Sequence, residues 1–277
     1  MTQNIAPKRS LGQVFLKDQN ILEKIAALVE PNGKVIIEIG AGDGRLTNCL
    51  AKSAETVYAV ELDRGLFERL KSRFEGAGNV HLFCLDARKL DLRDPAFAPH
   101  AHRRFTVVGN LPYCSFVHIL LGLMRQLDRI DEIQVMGQKE VADRLMAQPN
   151  ASDYGRLSVI VQAMAEVKRI LPVPPTAFWP RPKVDSLVVG IIPKEPPFNS
   201  AEELAGFDKF VSAAFSHRRK IMLNSLSQSA LRDKLPHVEA FLEEMGIPKS
   251  CRAQEIDVTG YISLFARLAC IEKNDAK

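Results

Sequence analysis

The stretch KVIIEIGAGDGRLT, residues 34–47, combines a β-branched run, a glycine-rich turn and the start of a helix. Glycines allow the backbone of such a turn to come close to a ligand. The turn differs from the dinucleotide fingerprint G-x-G-x-x-G, because Arg45 stands where the third glycine would be. Glu38 precedes Gly40 by two residues, and the resulting pattern E-x-G-x-G-x-G indicates S-adenosylmethionine rather than a pyrophosphate cofactor. Glycine turns after strands are common, so the neighbouring segments must support this interpretation.

Polar residues follow the next apolar runs, at the points where the predicted strands end. Glu61 comes about 20 residues after Gly40, where a carboxylate can accept hydrogen bonds from both ribose hydroxyls. Asp86 is placed to accept a hydrogen bond from the amine of the cofactor's adenine, and Asn110 ends the fourth strand. Strands alternating with helices predict an α/β fold with a doubly wound, Rossmann-like sheet, whose ligand lies beyond the carboxyl ends of the strands. The predicted strands cover 34–39, 56–63, 80–85, 105–110, the residues from 132 onward, and 187–192. Residues 159–167 are predicted to be helical or mixed, and a helix is predicted over 217–229.

The tetrapeptide Asn110-Leu111-Pro112-Tyr113 is the candidate catalytic element. The Asn110 amide oxygen can accept a hydrogen bond from an exocyclic amine, and a backbone carbonyl of Leu111 or Pro112 can accept another. The Tyr113 ring can stack on the face of a base. An asparagine before a proline-containing turn also occurs in ordinary loops, so the tetrapeptide alone leaves a purely structural role open.

Composition excludes several classes of protein. The chain has 277 residues, 46% hydrophobic and 25% charged, with a net charge of +4, which suits a globular protein. Its five cysteines form no C-x-x-C pair, so we expect reduced thiols, a cytoplasmic location and no metal site. The most apolar stretch, 116–124, is too short to span a membrane, and we expect no signal peptide.

A proline-rich linker at 193–197 predicts two domains, 1–193 and 194–277, the second small and all-helical. The second domain carries the basic run His217-Arg218-Arg219-Lys220, and the first carries a proline-stiffened loop with aromatic and basic side chains. These residues are candidate contacts to a target base or to RNA phosphates; the candidates are Phe178, Arg181, Lys183, Arg218, Arg219 and Lys220. The alternatives are that the aromatic side chains, Trp179 included, only pack the loop, and that the basic run is a solvated helix face.

Taken together, the motifs resemble those of the small-subunit ribosomal RNA adenine dimethyltransferases, the family known for kasugamycin resistance. The resemblance extends over nearly the whole chain, from about Lys8 to Phe265. Its later motifs are not shared by methyltransferases at large. The matching motifs are K-R-x-x-G-Q-x-F-L, E-I-G-A-G-D-G, E-L-D, D-A, N-L-P-Y, Q-K-E, Y-G-R-L-S, P-K-V-D-S, F-S-H-R-R-K and R-A-Q-E.

The resemblance implies an S-adenosylmethionine-dependent enzyme that dimethylates N6 of two adjacent adenines in the 3′-terminal hairpin of 16S rRNA. It implies the small ribosomal subunit as partner, and we expect a monomer without a membrane partner. Asn110 to Tyr113 would hold the target base, and Lys8 and Arg9 would extend an RNA-binding surface. The residues expected to hold the cofactor are Gln13, Leu16, Gly40, Gly42, Glu61, Asp86 and Asn110.

Two positions depart from the family pattern. The family often has Asn or His where this chain has Val14, which removes a polar contact. It commonly has Asn-Ile after the tyrosine, where Cys114 and Ser115 stand here. We expect Cys114 to pack rather than react, because nothing nearby in sequence would activate its thiolate.

The sequence leaves three alternative functions open. A large-subunit rRNA methyltransferase of the antibiotic-resistance type commonly has Ile in place of Leu111 and lacks the motif F-S-H-R-R-K. A non-catalytic assembly factor of the small subunit is disfavoured by the intact site. A DNA adenine methyltransferase would share the Asn-x-Pro-Tyr motif but not the C-terminal motifs.

Overall fold

A computed structural model describes residues 13–275 of the chain. Its contacts divide these residues into two compact units: the first holds 13–142 and Val167–Pro193, and the second holds Asp143–Glu166 and the residues from Lys194 onward. Lys8 and Arg9 lie outside the described residues.

The described residues form nine strands and ten α-helices. The strands are β1 Phe15–Leu16, β2 Val35–Ile39, β3 Thr56–Glu61, β4 Val80–Cys84, β5 Phe105–Asn110, β6 Ile130–Gln138, β7 Ala165–Val173, β8 Phe178–Trp179 and β9 Ser186–Pro193. The helices are α1 Gln19–Val29, α2 Arg45–Leu50, α3 Arg64–Arg73, α4 Phe116–Met124, α5 Lys139–Met146, α6 Arg156–Met164, α7 Ala201–Ala214, α8 Met222–Leu226, α9 Leu235–Glu244 and α10 Val258–Asp275. None of the helices in this described part is both long and apolar enough to cross a bilayer.

The main sheet has seven strands in the order β4-β3-β2-β5-β6-β9-β7. Strands β2 to β6 pair in parallel, and β9 pairs antiparallel with β6. All residues of β2 and β3 are buried, as expected for central strands covered on both faces. The strand order reverses between β2 and β5, and this switch point opens a crevice at the carboxyl ends of the strands. The predicted doubly wound α/β fold is therefore confirmed.

Capping residues fix the helices that follow the strands. The Asp18 carboxylate accepts hydrogen bonds from Asn20 N and Ile21 N at the start of α1. The Asp63 carboxylate does the same for Gly65 N and Leu66 N at the start of α3. Side-chain caps of this kind satisfy backbone donors that have no partner within the helix. Asp63 of the predicted E-L-D motif therefore has a helix-capping role.

The second unit has its own core, which joins its two segments. The hydroxyl of the fully buried Tyr154 donates a hydrogen bond of 2.9 Å to Ile256 O. The Arg156 guanidinium forms two hydrogen bonds, of 2.7 and 2.8 Å, with the Asp208 carboxylate. The predicted division at residue 193 placed 143–166 in the first domain, whereas these contacts group that segment with the C-terminal helices.

Two further elements differ from the sequence-based expectation. The residues 159–167 were expected to be helical or mixed; α6 ends at Met164 and continues directly into strand β7 at Ala165, with no glycine or proline between them. A helix was expected over 217–229, but α8 covers only Met222–Leu226 and a 3₁₀ turn at Phe215–His217 precedes it. The remaining described residues after 193 contain helices and a single β-bridge between Ile221 and Arg252.

Candidate active site

A cavity of about 140 Å³ lies at the carboxyl ends of the central strands of the first unit. Its wall contains the glycine turn after β2, the end of β3, the residues after β4 and β5, and the segment Gln13–Leu16. Of the residues predicted to hold the cofactor or the target base, these line the cavity: Gln13, Leu16, Gly40, Gly42, Glu61, Asp86, Asn110, Leu111 and Pro112.

The glycine turn brings backbone close to this cavity. Gly40 N and Ala41 N both donate to Val60 O, which ties the turn to β3. Gly40 has a φ of +76° and Gly42 a φ of +59°, in the left-handed region that favours glycine. A Cβ on Gly40 would lie 3.2 Å from Asn110 O. The turn therefore leaves space that side chains at these positions would reduce.

Glu61 closes one side of the turn. Its Oε2 accepts a hydrogen bond of 2.9 Å from Gly42 N, and its Oε1 accepts one of 2.8 Å from Asp63 N. Burial raises the pKa of this carboxyl above its usual value, while the two backbone hydrogen bonds lower it in part. The carboxylate is thus held in the cavity wall by main-chain donors.

Asp86 sits at the end of β4 and is paired with a residue that the sequence analysis did not select. The Arg88 Nε lies 3.0 Å from both Asp86 oxygens, and Arg88 Nη2 lies 2.6 Å from Oδ2. These hydrogen bonds with Arg88 lower the pKa of Asp86. Both residues line the cavity, so an adenine amine would share the Asp86 carboxylate with Arg88.

Asn110 is held by the segment that covers the cavity. Its Nδ2 donates a hydrogen bond of 2.9 Å to Val14 O. Its Oδ1 is buried and has no hydrogen-bond partner among residues 13–275. A buried acceptor without a partner is costly unless a donor arrives. The side chain of Val14 packs on the apolar core, so this residue contributes its main-chain carbonyl to the site.

Tyr113 is fixed through its hydroxyl. The Tyr113 hydroxyl and the Ser186 hydroxyl are 2.8 Å apart, and Ser186 is buried at the start of β9. Burial raises the pKa of Tyr113, so its ring stays neutral. Ser186 was part of the predicted P-K-V-D-S motif, but only the fold shows that it contacts Tyr113. Leu111 is fully buried, and the Pro112 carbonyl accepts a hydrogen bond from Ser115 N.

The segment 13–17, here called the arm, is attached at nearly every residue. Gln13 Nε2 donates to Asp63 Oδ2, and Leu16 is buried in the core. The Phe15 ring stacks on Trp179 across the β1–β8 pair, with 6.4 Å between ring centroids. Lys17 N donates to Ala177 O. The arm, with Gln13 and Leu16, therefore forms part of the cavity wall.

Glu38 is a fully buried carboxyl group in the same wall. Burial raises its pKa to about 8, from a usual value of 4.5, and the nearby Glu61 carboxylate contributes in the same direction. Its Oε2 has no hydrogen-bond partner among the described residues. Glu38 is thus largely protonated at neutral pH, and the cavity carries less negative charge than its carboxyl count suggests.

The predicted RNA contacts differ in accessibility. Phe178 is 1% exposed within the apolar core, so in this structure its ring is not available to stack on a base, whereas Trp179 is 44% exposed. Arg181, Lys183, Arg219 and Lys220 are exposed. Arg218 is exposed as well, and it donates hydrogen bonds to Ser152 O and Tyr154 O within the second unit, which gives it a structural role.

The chemistry of the cavity fits S-adenosylmethionine. The glycine turn gives close backbone approach, the carboxylates of Glu61 and Asp86 suit ribose hydroxyls and an adenine amine, and apolar walls come from Leu16, Leu62 and Ile119. No group of three or more His, Cys, Asp or Glu side chains suitable for a metal occurs within the part of the chain that the structure describes.

Comparisons with known proteins also indicate a methyltransferase. The family profile "Ribosomal RNA adenine dimethylase" matches residues 5–269. A "Ribosomal RNA small subunit methyltransferase A" from Desulfitobacterium hafniense is 40% identical over 90% of this chain and 88% of its own length. One of the same description from Methylococcus capsulatus is 39% identical over 95% of this chain and 98% of its own length.

Two solved structures share the fold. A dimethyladenosine transferase from Plasmodium falciparum gives a TM-score of 0.74 at 24% identity, covering 92% of this chain and 98% of its own. The 23S rRNA methyltransferase ErmE gives a TM-score of 0.65 at 25% identity, and the match covers 92% of this chain and 99% of the ErmE chain. Fold and site thus define an S-adenosylmethionine-dependent methyltransferase. Within that class, the chain belongs to the ribosomal RNA adenine dimethylase family.

Proposed function

We propose that this enzyme dimethylates N6 of two adjacent adenines in the 3′-terminal hairpin of 16S rRNA, during biogenesis of the small ribosomal subunit. The observation that carries the proposal is the Asn110 side chain. Its Nδ2 is bound to Val14 O, and its buried Oδ1 has no partner in the described chain. An acceptor held in this way suits the amino group of a target base. The relatives described above as small-subunit methyltransferases supply the choice of RNA.

The cofactor would be held by the residues that line the cavity. Glu61 would accept hydrogen bonds from the ribose hydroxyls, Asp86 would accept from the adenine amine, and the turn at Gly40 and Gly42 would approach the methionine part. Gln13 and Leu16 of the arm would cover it. When bound, S-adenosylmethionine supplies an electrophilic methyl carbon next to a good leaving group.

The residues after β5 would activate and align the target nitrogen. An adenine amine is a weak nucleophile because its lone pair is delocalised into the ring. Hydrogen bonds to Asn110 Oδ1 and to the carbonyl of Leu111 or Pro112 favour a pyramidal nitrogen and localise that pair. The Tyr113 ring, fixed by Ser186, would stack on the base and stabilise positive charge through its face. The main contribution of the protein would be to align N6 with the methyl carbon. No dedicated base is required, because the proton is lost from a product amine that is already cationic.

The surrounding RNA would be bound by exposed cations. Arg181, Lys183, Arg219 and Lys220 are accessible to phosphates, and the exposed Trp179 lies two residues before Arg181. The target adenine must leave its stack to reach Asn110. We further infer that the C-terminal segment 194–277 contacts the ribosomal particle, and that the enzyme acts as a cytoplasmic monomer.

A second candidate is methylation of large-subunit rRNA. The fold likeness to the 23S rRNA methyltransferase ErmE favours it, whereas Leu111 and the F-S-H-R-R-K motif favour the small subunit. Small-subunit assembly without catalysis is a third role, and it is compatible with catalysis by the same chain.

One experiment separates these candidates. Labelled S-adenosylmethionine is offered with small subunits that lack the adenine dimethylation, with large subunits, with naked rRNA and with DNA. We expect label on the small subunits. Label confined to large subunits would favour the resistance-type activity, label on DNA a DNA methyltransferase, and no transfer despite cofactor binding an assembly role.

A further inference from the structure

Arg45 is a cavity residue that the proposed mechanism does not use. It stands where a dinucleotide-binding turn would have its third glycine, directly after the left-handed Gly44. Its Nε lies 2.8 Å from Asp43 Oδ2, and its Nη1 donates a hydrogen bond of 3.2 Å to Lys17 O. Arg45 therefore connects the glycine turn to the arm, and its side chain lines the cavity.

The charges in the cavity wall are unevenly distributed. Four acidic side chains line it, namely those of Glu38, Asp43, Glu61 and Asp86, of which Glu38 is largely uncharged, and two basic ones, those of Arg45 and Arg88. Arg88 is engaged by Asp86 after β4, on the strand next to the one that ends in Glu61. Arg45 lies at the glycine turn, which is the end of the cavity expected to receive the amino-acid part of the cofactor.

That amino-acid part carries a carboxylate, which needs positively charged or hydrogen-bonding partners when it is bound. The family often supplies a polar side chain at the position of Val14, but here the Val14 side chain packs against apolar neighbours and its carbonyl is engaged by Asn110. A guanidinium at the glycine turn can replace such a contact, because its remaining N–H groups can donate charge-assisted hydrogen bonds to a carboxylate.

We propose that Arg45 binds the methionine carboxylate of S-adenosylmethionine, an inference that rests on the proposed cofactor site. Arg45 Nε and Nη1 are engaged, whereas Nη2 has no hydrogen-bond partner within residues 13–275. Because the same guanidinium donates to Lys17 O, carboxylate binding also stabilises the contact between the glycine turn and the arm. Arg45 thus acts as a specificity-determining residue for the amino-acid part of the cofactor.

The test compares two ligands that differ only in the carboxylate. S-adenosylhomocysteine and its decarboxylated analogue, 5′-deoxy-5′-(3-aminopropylthio)adenosine, are titrated calorimetrically into wild type, Arg45→Gln and Arg73→Gln. Arg73 is the matched control: its Nη1 donates to Asp43 O at 2.6 Å, but it is not part of the cavity wall. Thermal unfolding establishes that each variant is folded.

We expect Arg45→Gln to weaken binding of S-adenosylhomocysteine about tenfold, as for loss of a partly exposed charged hydrogen bond, and binding of the analogue far less. Arg45→Lys, which keeps the charge without the fork, should restore part of the loss, and Arg73→Gln should affect neither ligand. If Arg45→Gln weakened binding of both ligands equally, or of neither, the inference about Arg45 would be overturned. The proposed cofactor site would be unaffected by that result. Failure of the wild type to bind S-adenosylhomocysteine would overturn the cofactor site and the inference together.

Discussion

At the scale of single residues, the site depends on how one amide is oriented. Asn110 donates to Val14 O through Nδ2, and this hydrogen bond fixes Oδ1 as the group that remains free to accept. The orientation is therefore set by the main chain of the arm. This explains how a valine can occupy position 14, since any residue at that position would present the same carbonyl.

Asn110→Ala should abolish most methyl transfer and leave cofactor binding largely intact. Loss of a hydrogen bond that strengthens in the transition state typically lowers the rate about 10²–10³-fold. Single-turnover transfer and S-adenosylhomocysteine affinity would be measured on the same preparation. Asn79→Ala is the control, because it removes an amide that donates to Ala51 O and Ala54 O outside the cavity wall. Equal losses of transfer and of cofactor affinity in Asn110→Ala would refute this division of labour.

Glu38 should make the free energy of unfolding fall as pH rises. Its pKa is about 8 in the folded chain and near 4.5 in the unfolded chain, so between these values the folded state holds more protons. Stability then decreases by up to about 1.4 kcal/mol per pH unit and the loss is complete above pH 8. Glu38→Gln should remove this contribution and gain stability relative to wild type as pH increases.

Urea unfolding at pH 6 and pH 8.5 measures this difference. Glu68→Gln, a change at an exposed carboxylate on α3, is the matched control and should give no such gain. Parallel pH dependence of wild type and Glu38→Gln would show that the Glu38 carboxyl does not keep its proton in the folded protein.

At the scale of elements, Gly42 and Gly44 belong to one turn but allow the close approach of different neighbours. Gly44 has a φ of +78°, and a Cβ there would lie 2.7 Å from Leu70 Cδ2 and 2.8 Å from Phe74 Cε2. A Cβ on Gly42 would instead meet the Phe15 ring at an ordinary 3.5 Å. Gly44 thus faces α3 and Phe74 directly after it, whereas Gly42 faces the arm.

Gly44→Ala should therefore destabilise the protein more than Gly42→Ala. Both substitutions incur a left-handed backbone cost of about 1–2 kcal/mol, and only Gly44→Ala adds a steric clash. Denaturant unfolding gives the two free energies. Gly42→Ala should in addition lower cofactor affinity, because it alters the contact between the glycine turn and the arm. Equal destabilisation by the two changes would contradict the assignment of the clash to Leu70 and Phe74.

The basic run of the second unit should divide into one structural and two RNA-binding cations. Arg218→Gln should lower the free energy of unfolding by about 1–3 kcal/mol, because it leaves the carbonyls of Ser152 and Tyr154 without their donor. Arg219→Gln should leave stability unchanged, weaken binding to small subunits and reduce the salt dependence of binding by about one charge. The reverse pattern would remove Arg219 from the proposed RNA surface.

At the scale of the whole molecule, the sequence predicted the α/β sheet because polar residues mark the ends of its parallel strands. Glu61, Asp86 and Asn110 line one cavity for that reason. Strand β7 was missed because it follows α6 without a breaking residue, and its burial does not alternate regularly. The β1–β8 pair is two residues long on each side and joins distant segments, so no local pattern indicates it.

The contacts that the sequence could not predict are those in which a side chain meets a distant main chain. Asn110 with Val14 O, Arg218 with Tyr154 O and Arg45 with Lys17 O all depend on the fold. The side-chain types were visible in the sequence, but their partners were not. Phe178 illustrates the same limit, since an aromatic residue in a polar loop suggested base stacking and the fold buries it.

Mapping of the methylated product shows which RNA and which bases the enzyme modifies. Undermethylated small subunits are incubated with the enzyme and S-adenosylmethionine, and the 16S rRNA is digested and analysed by mass spectrometry. We predict N6,N6-dimethyladenosine at two neighbouring positions near the 3′ end, with far slower formation by Asn110→Ala. Methyl groups on other bases, or on large-subunit RNA alone, would contradict the proposed substrate and reaction.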